Sequence, residues 1–294
     1  MSHTARLADL RRADEPRFGG KSANLGELMA AGIPVPPGFA VAAAAYGPTI
    51  DEPLRAEIAR RYEALGEPPV AVRSSALGED SAEASFAGQQ ESFLWVLGAD
   101  RVCNAVRECW ASLHSAEAVA YRARMGGSAE PAMGVAVQLM VDAVVSGVMF
   151  TCNPVNGDPS TVAVNASWGL GTAVVGGEVT PDDYRVSKVT GEVLHRSVGP
   201  KRIEYRGTER LEVPAERREL ACLDEEQLGA LLELARRAER HFGGHQDIEW
   251  ALADDGSLFV VQSRPVTTAR ERKEAGPRRS AIEHVMGTFG ADRR

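Results

Sequence analysis

The sequence predicts a fold that mixes α-helices and β-strands. Short apolar or alternating runs bounded by glycine, proline and aspartate are typical of strands and hairpins, and they recur along the chain. Between them lie stretches whose apolar residues repeat at intervals of three and four, which is the spacing of an amphipathic helix. At 294 residues, the chain is long enough for one large or two modest domains.

The composition is that of an ordinary globular protein, with 44% hydrophobic and 25% charged residues. The formal net charge of −8 argues against a surface that binds nucleic acid or an anionic membrane. No apolar run is long enough to span a bilayer, and the N-terminus lacks the apolar core of a secretory signal. The four cysteines show no C-x-x-C spacing and predict reduced thiols in a cytoplasmic protein: Cys103, Cys109, Cys152 and Cys222.

The first candidate anion site is the glycine-rich stretch 18–28. Its glycines allow a ligand to approach the backbone, and Lys21 with Ser22 would begin a helix, whose N-terminus attracts anions. The stretch is not a P-loop, because that motif needs glycine at the position of Glu15. Taken alone, the stretch is better explained as a glycine-rich turn before an ordinary helix.

The second candidate is the stretch 70–75, which begins as an apolar strand and ends in polar residues. Arg73 precedes two serines there and has the donor geometry of a phosphate clamp. The small, polar loop at 78–90 has the composition of a mobile cover over a nucleotide. The alternative is a surface loop with a surface ion pair.

Two amphipathic helices are predicted further along the chain. The apolar residues of 102–113 indicate a helix that faces the core, and those of 228–242 indicate a second one. Asp224 and Gln227 resemble a capping box at the start of the second helix, and Gly243 would stop it. Strands are predicted over 135–141, 144–150, 162–165, 184–189 and 192–197.

The most informative stretch is 246–264, in which two alternating runs flank Asp255 and Gly256. An Asp-Gly pair predicts a two-residue hairpin loop, and counting outward from that loop fixes the register. Opposed residues share a face of the ribbon. Four polar side chains would then cluster on one face, with Asp247 opposite Arg264 and Glu249 opposite Gln262. The other, core-facing side would hold Ile248, Trp250, Leu252, Phe259 and Val261.

The polar cluster on this hairpin suggests a site for a metal and a phosphate. Asp247 and Glu249 could hold Mg²⁺, which prefers oxygen ligands and shares them with substrate phosphates. Gln262 would add a carbonyl oxygen, and Arg264 a planar donor fork for phosphate. The alternative is a solvated hairpin face that carries only a cross-strand Asp247–Arg264 pair, worth less than about 1 kcal/mol.

Six motifs occur in an order that resembles one family. They are Gly-Lys-Ser-x-Asn-Leu, Val-Arg-Ser-Ser, Ser-Phe-Ala-Gly-Gln-Gln, Gly-Val-Met-Phe-Thr-Cys-Asn-Pro, Ala-Ser-Trp-Gly-Leu-Gly, and Gln-Asp-Ile-Glu-Trp with Val-Gln-Ser-Arg-Pro. Together they resemble the ATP-binding domain of phosphoenolpyruvate synthase, pyruvate phosphate dikinase and the rifampin phosphotransferases. The resemblance covers residues 18 to about 267, and six motifs in order are far more specific than any one.

The resemblance implies an α+β ATP-grasp fold, with the nucleotide site between two lobes. The expected lobes are residues 1–165 and 166–268, followed by a basic tail at 269–294 that contains a candidate docking helix. The implied metal ligands for Mg²⁺ are Glu249, Gln262 and Asp247, and the implied catalytic phosphate contacts are Lys21, Arg73 and Arg264. The rest of the implied ATP site comprises Gln138, Met140 and Val141 beside adenine, and Ser85, Gly88 and Gln89 in a phosphate cover.

The function that the resemblance implies is an ATP-dependent phosphotransferase module. The six histidines lie in no context like that of the family's carrier histidine, so we expect phosphate to pass to a separate acceptor, either a protein histidine or a small molecule. Two positions depart from the family, since Glu117 replaces an arginine and Thr172 a glutamate. The alternatives are a stand-alone ATP-grasp enzyme that activates a carboxylate or hydroxyl, and a non-catalytic nucleotide sensor or assembly subunit.

Overall fold

The structure is a computed structural model that describes residues 2–77, 92–114 and 132–266. These residues form two antiparallel sheets, one mostly before and one after Leu139, together with a small two-stranded ribbon. The α-helices are α1 Glu15–Phe18, α2 Gly20–Ala30, α3 Glu52–Ala64, α4 Ala99–Ser112, α5 Thr172–Val175, α6 Ala215–Arg218 and α7 Glu225–Phe242. None of the helices in the described residues is long and apolar enough to cross a membrane.

The first sheet has five strands in the order β1-β2-β5-β3-β4. One of its faces packs on α3 and α4, and this core includes Phe39, Ile58, Val72, Val106 and Trp110. The predicted helix at 102–113 is therefore confirmed as α4, which buries both of its cysteines. The strands are β1 Thr4–Arg6, β2 Gly38–Val41, β3 Val70–Ala76, β4 Ser92–Val96 and β5 Met133–Leu139.

The second sheet has six strands in the order β13-β12-β6-β7-β8-β9, and α7 contributes to the core on one of its faces. Helix α7 begins with the predicted capping box of Asp224 and Gln227 and ends at Gly243, whose φ of 72° is left-handed. The strands are β6 Ala143–Phe150, β7 Thr161–Trp168, β8 Asp182–Ser187, β9 Val193–Ser197, β12 Gln246–Ala253 and β13 Leu258–Pro265. The separate ribbon is β10 Ile203–Arg206 with β11 Glu209–Glu212.

Helix α2 joins the N-terminal part of the chain to the second sheet. Leu25 and Leu28 are fully buried in the same core as Leu231, Ile248 and Trp250. The helix also contacts β13 directly. A single apolar core therefore runs from α2 to α7 and holds α2 against the hairpin of β12 and β13.

The change of sheet does not coincide with the expected lobe boundary. Strand β6 ends before residue 165 and strand β7 crosses it, yet both belong to the second sheet. The chain leaves the first sheet at Leu139 and enters the second sheet at Ala143. The sheets divide earlier than the expected boundary because β6 pairs with β12, a contact between distant parts of the sequence, and the lobe boundary itself stays a prediction.

The hairpin of β12 and β13 has the predicted register at its open end but not at its turn. Asp247 pairs with Arg264 and Glu249 with Gln262, as predicted, whereas Leu252 pairs with Leu258. The loop is thus one residue longer than the expected two-residue loop, and Gly256 takes a φ of 80° in it. A bulge next to Glu249 restores the predicted pairing.

The residues of β13 that face the main core differ from the predicted ones. Val260 is fully buried opposite Trp250, while Phe259 and Val261 are only half-buried and pack on the other side of the sheet. The prediction that Phe259 and Val261 fill the main core is therefore wrong. The cause is the extra loop residue, which inverts the alternation of β13 between the turn and the bulge.

Candidate functional site

A cleft of about 290 Å³ lies between the two sheets. On one side it is lined by β3, β4 and β5, and on the other by β6, β12 and β13, with α5 at one end. Its walls are largely apolar and include Leu94, Met140, Val141, Ala143, Leu170 and Val261. A flat, apolar ring system such as a nucleobase suits a slot of this kind.

The connection between the two sheets forms one end of this slot. Gln138, the last polar residue of β5, is only 2% exposed and its Nε2 donates to the carbonyl of Pro36 at 3.5 Å. Met140 and Val141 follow at the crossing and also line the cleft. All three residues predicted to lie beside adenine therefore meet in the cleft, and their contact with adenine stays a prediction.

Lys21 is buried near the polar end of the cleft, in the first turn of α2. Its Nζ donates to the carbonyl of Ser74 at 2.8 Å, and Ser22 N donates to Ser75 Oγ at 3.0 Å. This close approach of α2 to β3 requires Gly19, because a Cβ there would lie 2.0 Å from the carbonyl oxygen of Ser75. The glycines of this stretch thus bring Lys21 against the strand that carries Arg73.

Arg73 projects from β3 and makes three hydrogen bonds to the hairpin of the second sheet. Its Nη2 donates to Glu249 Oε2 at 2.7 Å and to Gln262 Oε1 at 2.8 Å. Its Nη1 donates to the carbonyl of Val261, the bulge residue, at 2.9 Å. Arg73, Glu249 and Gln262 therefore form one compact group across the cleft.

Arg264 and Asp247 form a second pair on the same face of the hairpin, with Arg264 Nε donating to Asp247 Oδ2 at 2.8 Å. Burial raises the pKa of Asp247, and the charge of Arg264 only partly opposes this effect. Burial would also raise the pKa of Glu249, but the charge and hydrogen bond of Arg73, helped by Lys21 and Arg264, hold it below its usual value. Glu249 is therefore ionised at neutral pH.

The oxygen atoms present fit a magnesium ion that arrives with phosphate. Glu249 Oε2 and Gln262 Oε1 converge on a single positive group, Nη2 of Arg73. Within the described ranges, no group of three or more His, Cys, Asp or Glu side chains could hold a metal alone. Two protein oxygens are enough for Mg²⁺ only where phosphate oxygens and water complete its shell.

Several predicted residues fall elsewhere. Ser85, Gly88, Gln89 and Glu117 lie outside the described residues. Thr172, the first residue of α5, lines the cleft opposite the first sheet. Thus the glutamate-to-threonine departure from the family falls within the cavity itself.

Sequence reasoning missed cleft residues on both sheets. Ser146 interrupts the apolar run of β6 and donates its Oγ to the carbonyl of Gly169 at 2.5 Å, which fixes the loop before α5. A polar residue inside an apolar strand was the available signal, as it was for Gln138. Ser92 and Leu94 of β4 also line the cleft, and nothing in their local sequence distinguishes them.

The amino-acid sequence matches the family of the pyruvate phosphate dikinase AMP/ATP-binding domain over residues 15–63 and 47–284. It is 39% identical to a probable phosphoenolpyruvate synthase of Methanothermobacter thermautotrophicus, over 93% of this chain and 47% of that protein. It is 37% identical to the phosphoenolpyruvate synthase of Pyrococcus furiosus, over 91% and 44%. It is 38% identical to a rifampicin phosphotransferase of a Streptomyces species, over 89% and 36%.

The chain thus spans less than half the length of these curated relatives. The family match nevertheless extends over both sheets and includes every residue of the cleft. The expected α+β fold, with two sheets and a cleft between them, is confirmed. The chain belongs to the pyruvate phosphate dikinase AMP/ATP-binding domain family.

Proposed function

We propose that this chain binds ATP with Mg²⁺ in the cleft between the sheets and transfers phosphate from it to a separate acceptor, a protein histidine or a small molecule. The observation that carries the proposal is the convergence of Glu249 and Gln262 oxygens on one cationic group at the polar end of an apolar slot. A nucleotide has the same polarity, with an apolar base and an anionic tail.

The cationic side chains suit phosphoryl transfer. Lys21, Arg73 and Arg264 would bind the phosphate tail and stabilise the charge that spreads over the transferred group. This chemistry relies on positioning and on electrostatics and needs no nucleophile from the protein. Glu249 and Gln262, with Asp247 beside them, would hold Mg²⁺, which when bound shields the phosphate oxygens and orients them.

We do not propose any histidine of the described residues as the phosphate acceptor. None of them lines the cleft. His241 contacts Glu27 at 2.9 Å, His245 contacts Glu239 at 2.5 Å and His114 contacts Tyr46 at 2.5 Å. The curated relatives named phosphoenolpyruvate synthase and rifampicin phosphotransferase are more than twice as long as the matched region, so the transfer to an acceptor is part of the proposal.

The test is to incubate the full chain with ATP and Mg²⁺ and to follow the phosphorus species by ³¹P NMR. Pyruvate, rifampicin, inorganic phosphate and a purified histidine-bearing carrier polypeptide would be added one at a time. AMP with phosphate, formed only when an acceptor is present, supports the proposal, and ADP alone indicates a simple kinase. The Glu249→Gln variant provides the background.

The same experiment separates the two other functions. Turnover to ADP and free phosphate, and not to AMP, that requires a small molecule but no protein would indicate a stand-alone enzyme that activates a carboxylate or hydroxyl. A sensor would gain thermal stability from ATP by ligand linkage without consuming it. If ATP neither binds nor is consumed with any acceptor, the proposal is wrong.

A further inference from the structure

Arg73 occupies the point at which the two proposed metal ligands converge. Its Nη2 lies 2.7 Å from Glu249 Oε2 and 2.8 Å from Gln262 Oε1. Both distances are those of full hydrogen bonds, so the guanidinium occupies the place where a metal ion bound by both oxygen atoms would lie. A further hydrogen bond holds the guanidinium in this position, because it also donates to the backbone carbonyl of Val261.

The charges around this group oppose a free divalent cation. Among the described residues, Lys21, Arg73 and Arg264 face the carboxylates of Asp247 and Glu249, so the formal charges of these five side chains sum to +1. A bare metal ion would have to displace a guanidinium and enter a positive field. A nucleotide with its metal brings negative phosphates, for which the planar donors of arginine are well suited.

We propose that Arg73 is a positioning residue that stands in for the metal. It holds Glu249 and Gln262 in their ligand arrangement before the nucleotide binds, and it excludes metal ions that arrive alone. Phosphate oxygens draw the guanidinium away from the two ligands, and the metal enters together with the phosphates. The inference rests on the proposed function, and it adds an order of binding in which the nucleotide precedes the metal or accompanies it.

The test measures Mn²⁺, a paramagnetic substitute for Mg²⁺, by electron paramagnetic resonance with the full chain. The wild-type chain should bind Mn²⁺ weakly alone and strongly with a non-hydrolysable ATP analogue. Arg73→Gln should tighten Mn²⁺ binding in the absence of nucleotide by at least about tenfold, the scale on which neighbours of metal ligands act. Arg73→Lys keeps the charge but cannot reach three acceptors, and it should give a smaller change of the same sign.

Arg185→Gln is the matched control. Arg185 projects from β8 in the second sheet with its side chain 43% exposed, and its removal deletes the same charge without touching Glu249 or Gln262. Its Mn²⁺ affinity should equal that of the wild type. A far-ultraviolet circular dichroism melt establishes that each variant is folded. If Arg73→Gln does not fold, Arg73→Lys replaces it as the test variant.

The outcomes distinguish this inference from the proposed function. If the wild-type chain binds Mn²⁺ with the analogue but folded Arg73 variants gain no affinity without it, the stand-in role is wrong and the proposed function survives. If the wild-type chain binds Mn²⁺ alone as tightly as with the analogue, the stand-in role is also wrong. If no chain retains Mn²⁺ with the analogue, the proposed function itself fails.

Discussion

Arg73 in β3 and Glu249 in β12 form an ion pair that joins the two sheets, with 2.7 Å between Nη2 and Oε2. Their side chains are only 12% and 25% exposed, so water screens the pair weakly. The same two residues belong to the proposed nucleotide site. A ligand that binds there should therefore change the stability of the fold as well as fill the cleft.

Glu249→Gln should abolish metal-dependent ATP turnover while the chain remains folded. The amide keeps an acceptor for Arg73 but removes the negative charge that a magnesium ligand supplies. We expect the free energy of unfolding to fall by no more than about 2 kcal/mol, the scale of a weakened charged hydrogen bond. Turnover is measured by ³¹P NMR and stability by urea unfolding.

Asp255→Asn is the control for that variant. Asp255 lies at the turn of the same hairpin, exposed, where it accepts a hydrogen bond from Ser257 N at 2.9 Å. This substitution should leave turnover unchanged. Metal-dependent turnover by Glu249→Gln at the wild-type rate would contradict the assigned role of Glu249.

Ala71→Phe should weaken ATP binding by filling the slot. Ala71 lies in β3 opposite Gln138, is 7% exposed and lines the cleft. A phenyl ring at this position would enter the cavity, so we expect at least about a tenfold loss of affinity, or ~1.4 kcal/mol. Isothermal titration with a non-hydrolysable analogue measures it. The control is Ala111→Phe, at an exposed position of α4, which should bind the analogue as tightly as the wild type. An unchanged affinity of Ala71→Phe would show that the nucleotide lies elsewhere.

Glu57 should make the stability of the fold depend on pH in the acid range. Its partial burial alone would raise its pKa, but hydrogen bonds from Ser2, His3 and Thr4 outweigh burial and lower the pKa to about 2. A pKa below the unfolded value of 4.5 means that the stabilisation is complete above pH 4.5 and is lost as the pH falls toward 2. After discounting for solvent screening, we expect about 1–2 kcal/mol.

The measurement is urea unfolding of the wild type and Glu57→Gln between pH 7 and about pH 3, the window that this pKa shift sets. The difference in unfolding free energy should be largest at neutral pH and shrink on acidification. Glu63→Gln, at an exposed position of the same helix, should show no such trend. A difference that grows as the pH falls would refute the assignment to Glu57.

The sequence was sufficient to predict the pairs Asp247–Arg264 and Glu249–Gln262, although the two-residue loop from which they were counted is wrong. The loop is one residue longer than the Asp-Gly rule predicts, and a bulge beside Glu249 cancels the shift. Loop length and bulges depend on how β13 packs against the rest of the chain, which alternation alone does not encode. The same two deviations explain why Val260, and not Phe259 or Val261, is buried.

The assembly of the cleft could be inferred only through the family resemblance. Lys21, Arg73 and Glu249 are far apart in the chain, and no local pattern indicates that β3 faces β12. The partner of Glu249 was also unpredictable, because Arg264, the cation on the hairpin itself, was already expected opposite Asp247. In the structure Arg264 binds Asp247 as predicted, and Arg73 reaches Glu249 from the other sheet.

Asp182 and Lys201 form a fully buried ion pair that the sequence did not reveal. We expect Asp182 to contribute more to the stability of the fold than Lys201 does. Asp182 also accepts hydrogen bonds from Gly199 N at 2.9 Å, Cys222 N at 2.7 Å and Tyr184 Oη at 3.0 Å. Burial, reinforced by the charge of Asp182, raises the pKa of Tyr184, which keeps its hydroxyl a donor. Within the part of the chain that the structure describes, Lys201 has two further partners, the carbonyls of Gly199 and Arg218.

Asp182→Asn should therefore destabilise the fold more than Lys201→Met. Loss of the carboxylate leaves a buried ammonium beside unmatched donors, which costs about 3–5 kcal/mol. Loss of the ammonium leaves a carboxylate that three donors still satisfy, so its cost should be smaller by at least about 1 kcal/mol. Urea unfolding of both variants and of the double variant measures the order and the coupling, and the double variant should lose less than the sum of the two. A larger loss for Lys201→Met would mean that the ion pair, and not the donors around Asp182, holds this part of the second sheet together.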